Sequence, residues 1–261
     1  MAAPRPRSAV SRRQGSRSRG DRPVAPTLIG PLFVLIVAAV AFWWLRNAGI
    51  VEAPVAPATV TQAQPTPAPP ALSAEERSLL VRVDKERALA PDYVPPDLVP
   101  VTGVAQALPS QRLRQLALAA LQRLAAEAQA QGHVLSARSG YRSYAEQEAT
   151  YAYWVSQLGP VEAARVSARA GHSEHQLGTA VDLTSAAVGY DLLEGFGGTP
   201  EGRWLAANGH RFGFTLSYPE GKEAVTGYAY EPWHWRYVGE AMATWLRERG
   251  LTLTEWLREG G

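Results

Sequence analysis

Two histidines and three carboxylates fall in two short segments of this chain. One is Ser173-Glu174-His175-Gln176-Leu177-Gly178-Thr179-Ala180-Val181-Asp182 and the other Glu231-Pro232-Trp233-His234. Two imidazoles and one carboxylate are a ligand set that leaves Zn²⁺ an open fourth position for water, the arrangement of a catalytic rather than a structural site. Water on such a metal has a pKa of about 7 instead of about 16, and a neighbouring carboxylate must then take and return protons. His175, Asp182 and His234 read as the ligands and Glu231 as the proton carrier.

Positioning these groups makes demands on the backbone. Gly178 permits a tight turn, and the β-branched Thr179 and Val181 favour an extended segment that presents Asp182 back toward His175, so no helix is expected through this stretch. Downstream, Trp233, Trp235 and Tyr237 alternate with His234 and Arg236, the period of a strand with an aromatic core face and a polar site face. Strict alternation would send Glu231 and His234 to opposite faces. The chain must therefore turn between them, and Pro232 favours that by fixing its own φ and biasing Glu231 away from helix. His172 lies three residues before His175 and reads as a rim or supporting residue, with ligation as its rival. His133 and His210, beside Gly132 and Gly209, read as structural groups at helix ends.

Taken with their flanks, the two segments resemble the VanY-like D-alanyl-D-alanine carboxypeptidases, a zinc peptidase family that also contains L,D-carboxypeptidases and phage endolysin peptidases. Residues 173–182 match its pattern Ser-x-His-x-x-Gly-x-Ala-x-Asp, and 231–237 match its Glu-x-x-His with aromatic surround. The resemblance extends through Ser139-Gly140-Tyr141-Arg142-Ser143, Gln147, and Asp92-Tyr93-Val94-Pro95-Pro96-Asp97-Leu98-Val99, covering roughly residues 78–250. One departure is Asp84, where relatives often carry Asn. The resemblance implies that His175, Asp182 and His234 hold zinc, that Glu231 activates the water, and that Arg142 stabilises the oxyanion, a role suited to a fixed guanidinium charge. It also implies that Ser173 and Gln147 help hold the substrate. Against this, Ser173 could simply cap the turn, and Gln147 could be a solvated helix residue.

The remainder of the chain is a domain with appendages at its N-terminus. Residues 1–26 are rich in Arg, Ser, Pro and Gly, a composition that cannot bury a core and reads as a disordered cytoplasmic tail. From Thr27 to Leu45 there is no charged residue, and the run ends in Phe42-Trp43-Trp44-Leu45. It is long enough to span a bilayer as a signal anchor, the alternative being a cleaved signal peptide. The arginines are explained by the positive-inside bias without invoking nucleic acid. Residues 46–72, dominated by Ala, Pro, Val and Thr, read as a semi-extended linker. The first 46 residues hold eight arginines and one aspartate, leaving 18 basic against 23 acidic groups beyond them, so the basic balance belongs to the tail. With no cysteine, neither a disulfide nor a thiolate metal site is possible.

Within residues 73–261, Ser73-Ala74-Glu75-Glu76 has capping-box spacing. Leu113, Leu116, Leu121 and Leu124 predict an amphipathic helix stopped by Gly132. Strands are expected over 134–139, 179–184, 212–217 and 228–238. Helices are expected over 144–158, from about 160, and over 201–208, 240–249 and 253–259. This is an α+β domain with a small antiparallel sheet flanked by helices. The expected activity is zinc-dependent removal of the terminal D-Ala from peptidoglycan stem peptides, outside the cytoplasmic membrane. The alternatives are an L,D-carboxypeptidase or endopeptidase on the same stem, or a zinc-containing peptidoglycan-binding module without activity.

Overall fold

A computed structural model describes residues 68–260. The tail and anchor expected over 1–45, and the linker as far as residue 67, lie outside the described residues. Among those described, no helix is long and apolar enough to cross a membrane.

The lead-in runs from Ala68 through α1 (Ala74–Ser78), whose N-cap Ser73 and Glu76 form the capping box expected from sequence. Next come β1 (Leu98–Pro100), β2 (Ala105–Gln106) and β3 (Arg112–Arg114), followed by α2 (Gln115–Ala130), β4 (Ser136–Ser139) and α3 (Tyr144–Val166). A 3₁₀ turn, Glu174–Leu177, leads into β5 (Ala180–Thr184). After α4 (Pro200–Asn208) follow β6 (Phe214–Leu216), α5 (Glu223–Thr226), β7 (His234–Tyr237), α6 (Glu240–Arg249) and α7 (Leu253–Arg258).

Five strands form one sheet in the order β2-β4-β5-β7-β6, antiparallel except that β2 lies parallel to β4. The sheet is thus mixed at one edge, because the chain passes through β3 and α2 before returning beside β2. β1 and β3 form a separate two-stranded ribbon. Alternation divides the main sheet into two faces. Ala137, Val181, Leu183, Phe214 and Trp235 pack into the core with Leu118, Leu121 and Leu124 of α2 and Trp204 and Leu205 of α4. The α2 face differs from the leucine spacing: Leu113 is buried from β3, Leu116 is only half-buried, and Ala117, Ala120 and Ala128 complete the contact.

α3 is two helices joined at a kink. Gly159 has φ +77° and precedes Pro160, the residue pair from which the break was expected. The predicted strand over 228–238 shortens to β7, since Glu231 to His234 is a turn closed by the His234 N–H donating to the Glu231 carbonyl at 3.1 Å. A second cluster packs Leu72 and Leu80 of the lead-in against Val238, Met242, Leu246 and Leu253. Packing therefore begins upstream of residue 73. Asp84 closes the lead-in: Oδ1 accepts from the Glu86 and Arg87 amides, which Asn could also do, whereas Oδ2 accepts from Arg82 and Arg258, which favours the carboxylate.

Candidate metal centre

The register of the sheet assembles the site. Asp182 pairs with His234 across β5 and β7 and with Ser139 across β5 and β4. The second pairing depends on a bulge between Ala137 and Ser139, which puts Ser139 rather than Arg138 opposite Asp182. The row continues beyond β6, where the Ser217 N–H donates to the His234 carbonyl. Ser139, Asp182, His234 and Ser217 thus line one row on the face opposite the core.

His175 joins this row from the 3₁₀ turn, which overrides the expectation of no helix there. Ser173 starts the turn by accepting the His175 amide at 3.3 Å, and Gly178 ends it at φ +67°. The His175 Nδ1–H donates to the Gly140 carbonyl at 2.7 Å, leaving Nε2 facing Asp182 Oδ2 at 3.2 Å. His234 is oriented the opposite way. Its Nε2–H donates to Glu174 Oε2 at 3.0 Å, and Nδ1 lies 3.1 Å from Asp182 Oδ1.

Ligand atoms of His175, Asp182 and His234 all lie within 4.8 Å of one another, and all three residues are buried. This donor set fits zinc: one nitrogen of each imidazole is committed to a protein acceptor, and the other nitrogens converge with one carboxylate. Burial alone would raise the Asp182 pKa, but the two imidazoles outweigh it and hold the carboxyl far below its usual range. Burial likewise would lower His234, yet its hydrogen bonds to Asp182 and Glu174 raise it to about 10.

Glu231 is buried beside the ligands, with Oε2 4.0 Å from His234 Nδ1. Burial pushes its carboxyl up to about 8, with Asp182 adding to the rise and His234, Arg142 and Lys85 opposing it. Lys85 sits with Nζ 3.3 Å from the centre of the Tyr228 ring, and burial lowers it to about 8. Arg142 stands just before α3, whose N-cap is Ser143. Its guanidinium donates to Gln147 Oε1 at 2.7 Å and Ser139 Oγ at 2.9 Å. Gln147 is buried rather than solvated, and its amide also donates to the Ala168 carbonyl at 2.6 Å. It holds Arg142 in place. His172 turns Nδ1 to the Asp84 carbonyl at 2.7 Å, outside the ligand set.

All seven site residues expected from sequence line one cleft of about 300 Å³. Its apolar lining is formed by Trp154, Leu158, Val166, Leu192 and Trp233. The sequence reading missed Glu174, although an acid beside a ligand histidine was a signal. It also missed Ser217 and Tyr218, the latter stacked on His234 with ring centres 4.8 Å apart, which no motif marked.

The chain is similar to known proteins in sequence and fold. Residues 110–240 match the VanY family, D-alanyl-D-alanine carboxypeptidase. The putative carboxypeptidase YodJ of Bacillus subtilis is 38% identical over 186 residues, 70% of this chain and 68% of YodJ. The LD-carboxypeptidase LdcB, a structure bearing on peptidoglycan recognition, is 39% identical with a TM-score of 0.64, covering 67% of this chain and 84% of LdcB. VanYB in complex with D-alanine-D-alanine is 31% identical with a TM-score of 0.60, covering 70% and 99%. A glutamate-to-alanine variant of the vancomycin-resistance D,D-pentapeptidase VanY, at 32% identity and a TM-score of 0.59 over 69% and 99%, is solved with Zn(II). With its ligand row, its buried glutamate and more than two thirds of its length shared with YodJ, this chain belongs to the VanY family of zinc carboxypeptidases.

Proposed function

We propose that this protein is a zinc-dependent D-alanyl-D-alanine carboxypeptidase that removes the terminal D-Ala from peptidoglycan stem peptides. The observation that carries the reading is the buried Glu231 carboxyl beside three converging ligands, with Arg142 on the same cleft. His175 Nε2, the Asp182 carboxylate and His234 Nδ1 would hold the metal. Bound zinc supplies an acidified water and polarises the scissile carbonyl.

The chain's own groups do the rest. Glu231 takes the proton of the attacking water and returns it to the leaving D-Ala nitrogen, a task that needs a carboxyl with a pKa near neutrality. Arg142, fixed by Gln147 and Ser139, donates to the oxygen on which charge develops. Ser173 uses an oxygen lone pair on the His175 amide, so its O–H stays available to a substrate carboxylate. Gln147 contributes through Arg142.

The test is mass analysis of zinc-loaded protein incubated with a muramyl pentapeptide ending in D-Ala-D-Ala. Loss of one alanine that chelator prevents is the expected result, and an intact pentapeptide overturns the reading. The likeness to LdcB supports a second reading, an L,D-carboxypeptidase. Cleavage of tetrapeptide but not pentapeptide would establish it. We further propose that the uncharged run 27–45, preceded by arginines, anchors the domain in the cytoplasmic membrane with the catalytic part outside. Protection of the tail, but not the domain, from protease added to intact cells is the outcome expected.

A further inference from the structure

Glu174 stands at a position that the metal motif leaves unspecified, yet it is among the most enclosed carboxylates of the described residues, 3% exposed. Three groups converge on it: the His234 Nε2–H at 3.0 Å, the Ser217 O–H at 2.6 Å and Arg236 Nη1 at 2.8 Å. Arg236 is itself fully enclosed, and its Nη2 donates to the carbonyls of Leu79 and Val81, both at 2.8 Å. An unbroken chain of hydrogen bonds thus runs from the lead-in backbone through Arg236 and Glu174 to the ring of His234.

We infer that Glu174 and Arg236 are positioning residues that fix His234 as an Nδ1 ligand for zinc. The assignment rests on the zinc reading of the site. An imidazole offers a metal one nitrogen only when the other carries the proton, and a charged acceptor on that other nitrogen both selects the tautomer and makes the ligand more basic. Glu174 is that acceptor for His234, as the Gly140 carbonyl is for His175. Arg236 balances the carboxylate, so the relay strengthens the ligand without leaving an unpaired buried charge. Because Glu174 immediately precedes His175, one dipeptide supplies a ligand and orients the other.

The test is zinc affinity, measured by competition with a chromophoric chelator on the full chain and on Glu174→Gln and Glu174→Ala. Nitrogen-15 spectra of the zinc-loaded imidazoles accompany it. Removing such a partner weakens metal binding about 10- to 100-fold. Glu174→Gln keeps the shape and an acceptor, so it decides the matter should Glu174→Ala not fold. The expected result is at least tenfold weaker binding with faster solvent exchange of the His234 Nε2–H. A smaller loss in every folded variant overturns the inference, since a merely structural role for Glu174 would lower thermal stability without changing zinc affinity. Neither readout involves a peptide, so failure to cleave pentapeptide would leave the relay standing, and failure of the relay would leave the carboxypeptidase reading untouched.

Discussion

At the scale of single residues, Glu231 stands in conflict between folding and chemistry. Burial raises its carboxyl from an ordinary 4.5 to about 8. A carboxyl whose pKa rises on folding contributes stability below its unfolded value, and that contribution is lost as pH climbs through the folded value. The metal-free protein should therefore weaken between about pH 4.5 and pH 8 on account of this group. Glu231→Gln removes the loss, so it should melt several degrees above the wild type at pH 8 in chelator, bind zinc normally and turn over no peptide. Calorimetry and product analysis check the two halves. Glu174 behaves oppositely. Burial would raise it, but Arg236, His234 and Ser217 hold it at about 2, so its contribution is present above pH 4.5 and lost as pH falls toward 2. For Arg142, replacement by Lys keeps the charge but cannot serve Gln147, Ser139 and an oxyanion together. Arg142→Lys should lower kcat about 10²- to 10³-fold, with zinc affinity unchanged in a chelator titration.

At the scale of elements, the turn carrying His175 is the most demanding piece of backbone. Gly178 sits at φ +67°, and a Cβ there would lie 2.8 Å from Leu98 Cδ2 and 3.1 Å from Cγ of Arg114. Gly178→Ala should cost about 1–3 kcal/mol in denaturant titrations and weaken zinc binding, because the strain falls on a ligand. The elements legible in the sequence were those with local causes. The capping box at Ser73, the Gly159-Pro160 break and the aromatic alternation over 234–237 appear where their residues predict. What escaped was non-local. Glu174-His175-Gln176-Leu177 has no periodicity to announce a 3₁₀ turn, and the row Ser139, Asp182, His234 and Ser217 exists only through strand register and one bulge. The ligands could be named from their motif, whereas Gln147 and Glu174 revealed their roles only when their partners, distant in sequence, were seen beside them.

At the scale of the whole molecule, the site is fastened to the lead-in through Arg236. Breaking a buried pair by removing one partner costs about 3–5 kcal/mol. Arg236→Met should show that loss in urea unfolding of the metal-free protein, with the lead-in 79–81 exchanging its amides faster. Metal should stabilise in turn: zinc at a thousandfold excess over its Kd adds about 4 kcal/mol, read as a rise in melting temperature that chelator reverses. The cleft's polar and apolar residues come from different elements. The ligands and Glu231 are held by the sheet, its 3₁₀ turn and a hydrogen-bonded corner, where a shift of one residue would scatter them. The apolar lining of the cleft comes from Trp154 and Leu158 before the α3 kink, Val166 after it, and Leu192 in a connection between elements. Fit to the peptide and hydrolysis of it therefore draw on separate side chains within one cleft, the first from helix and connection, the second from sheet and turn.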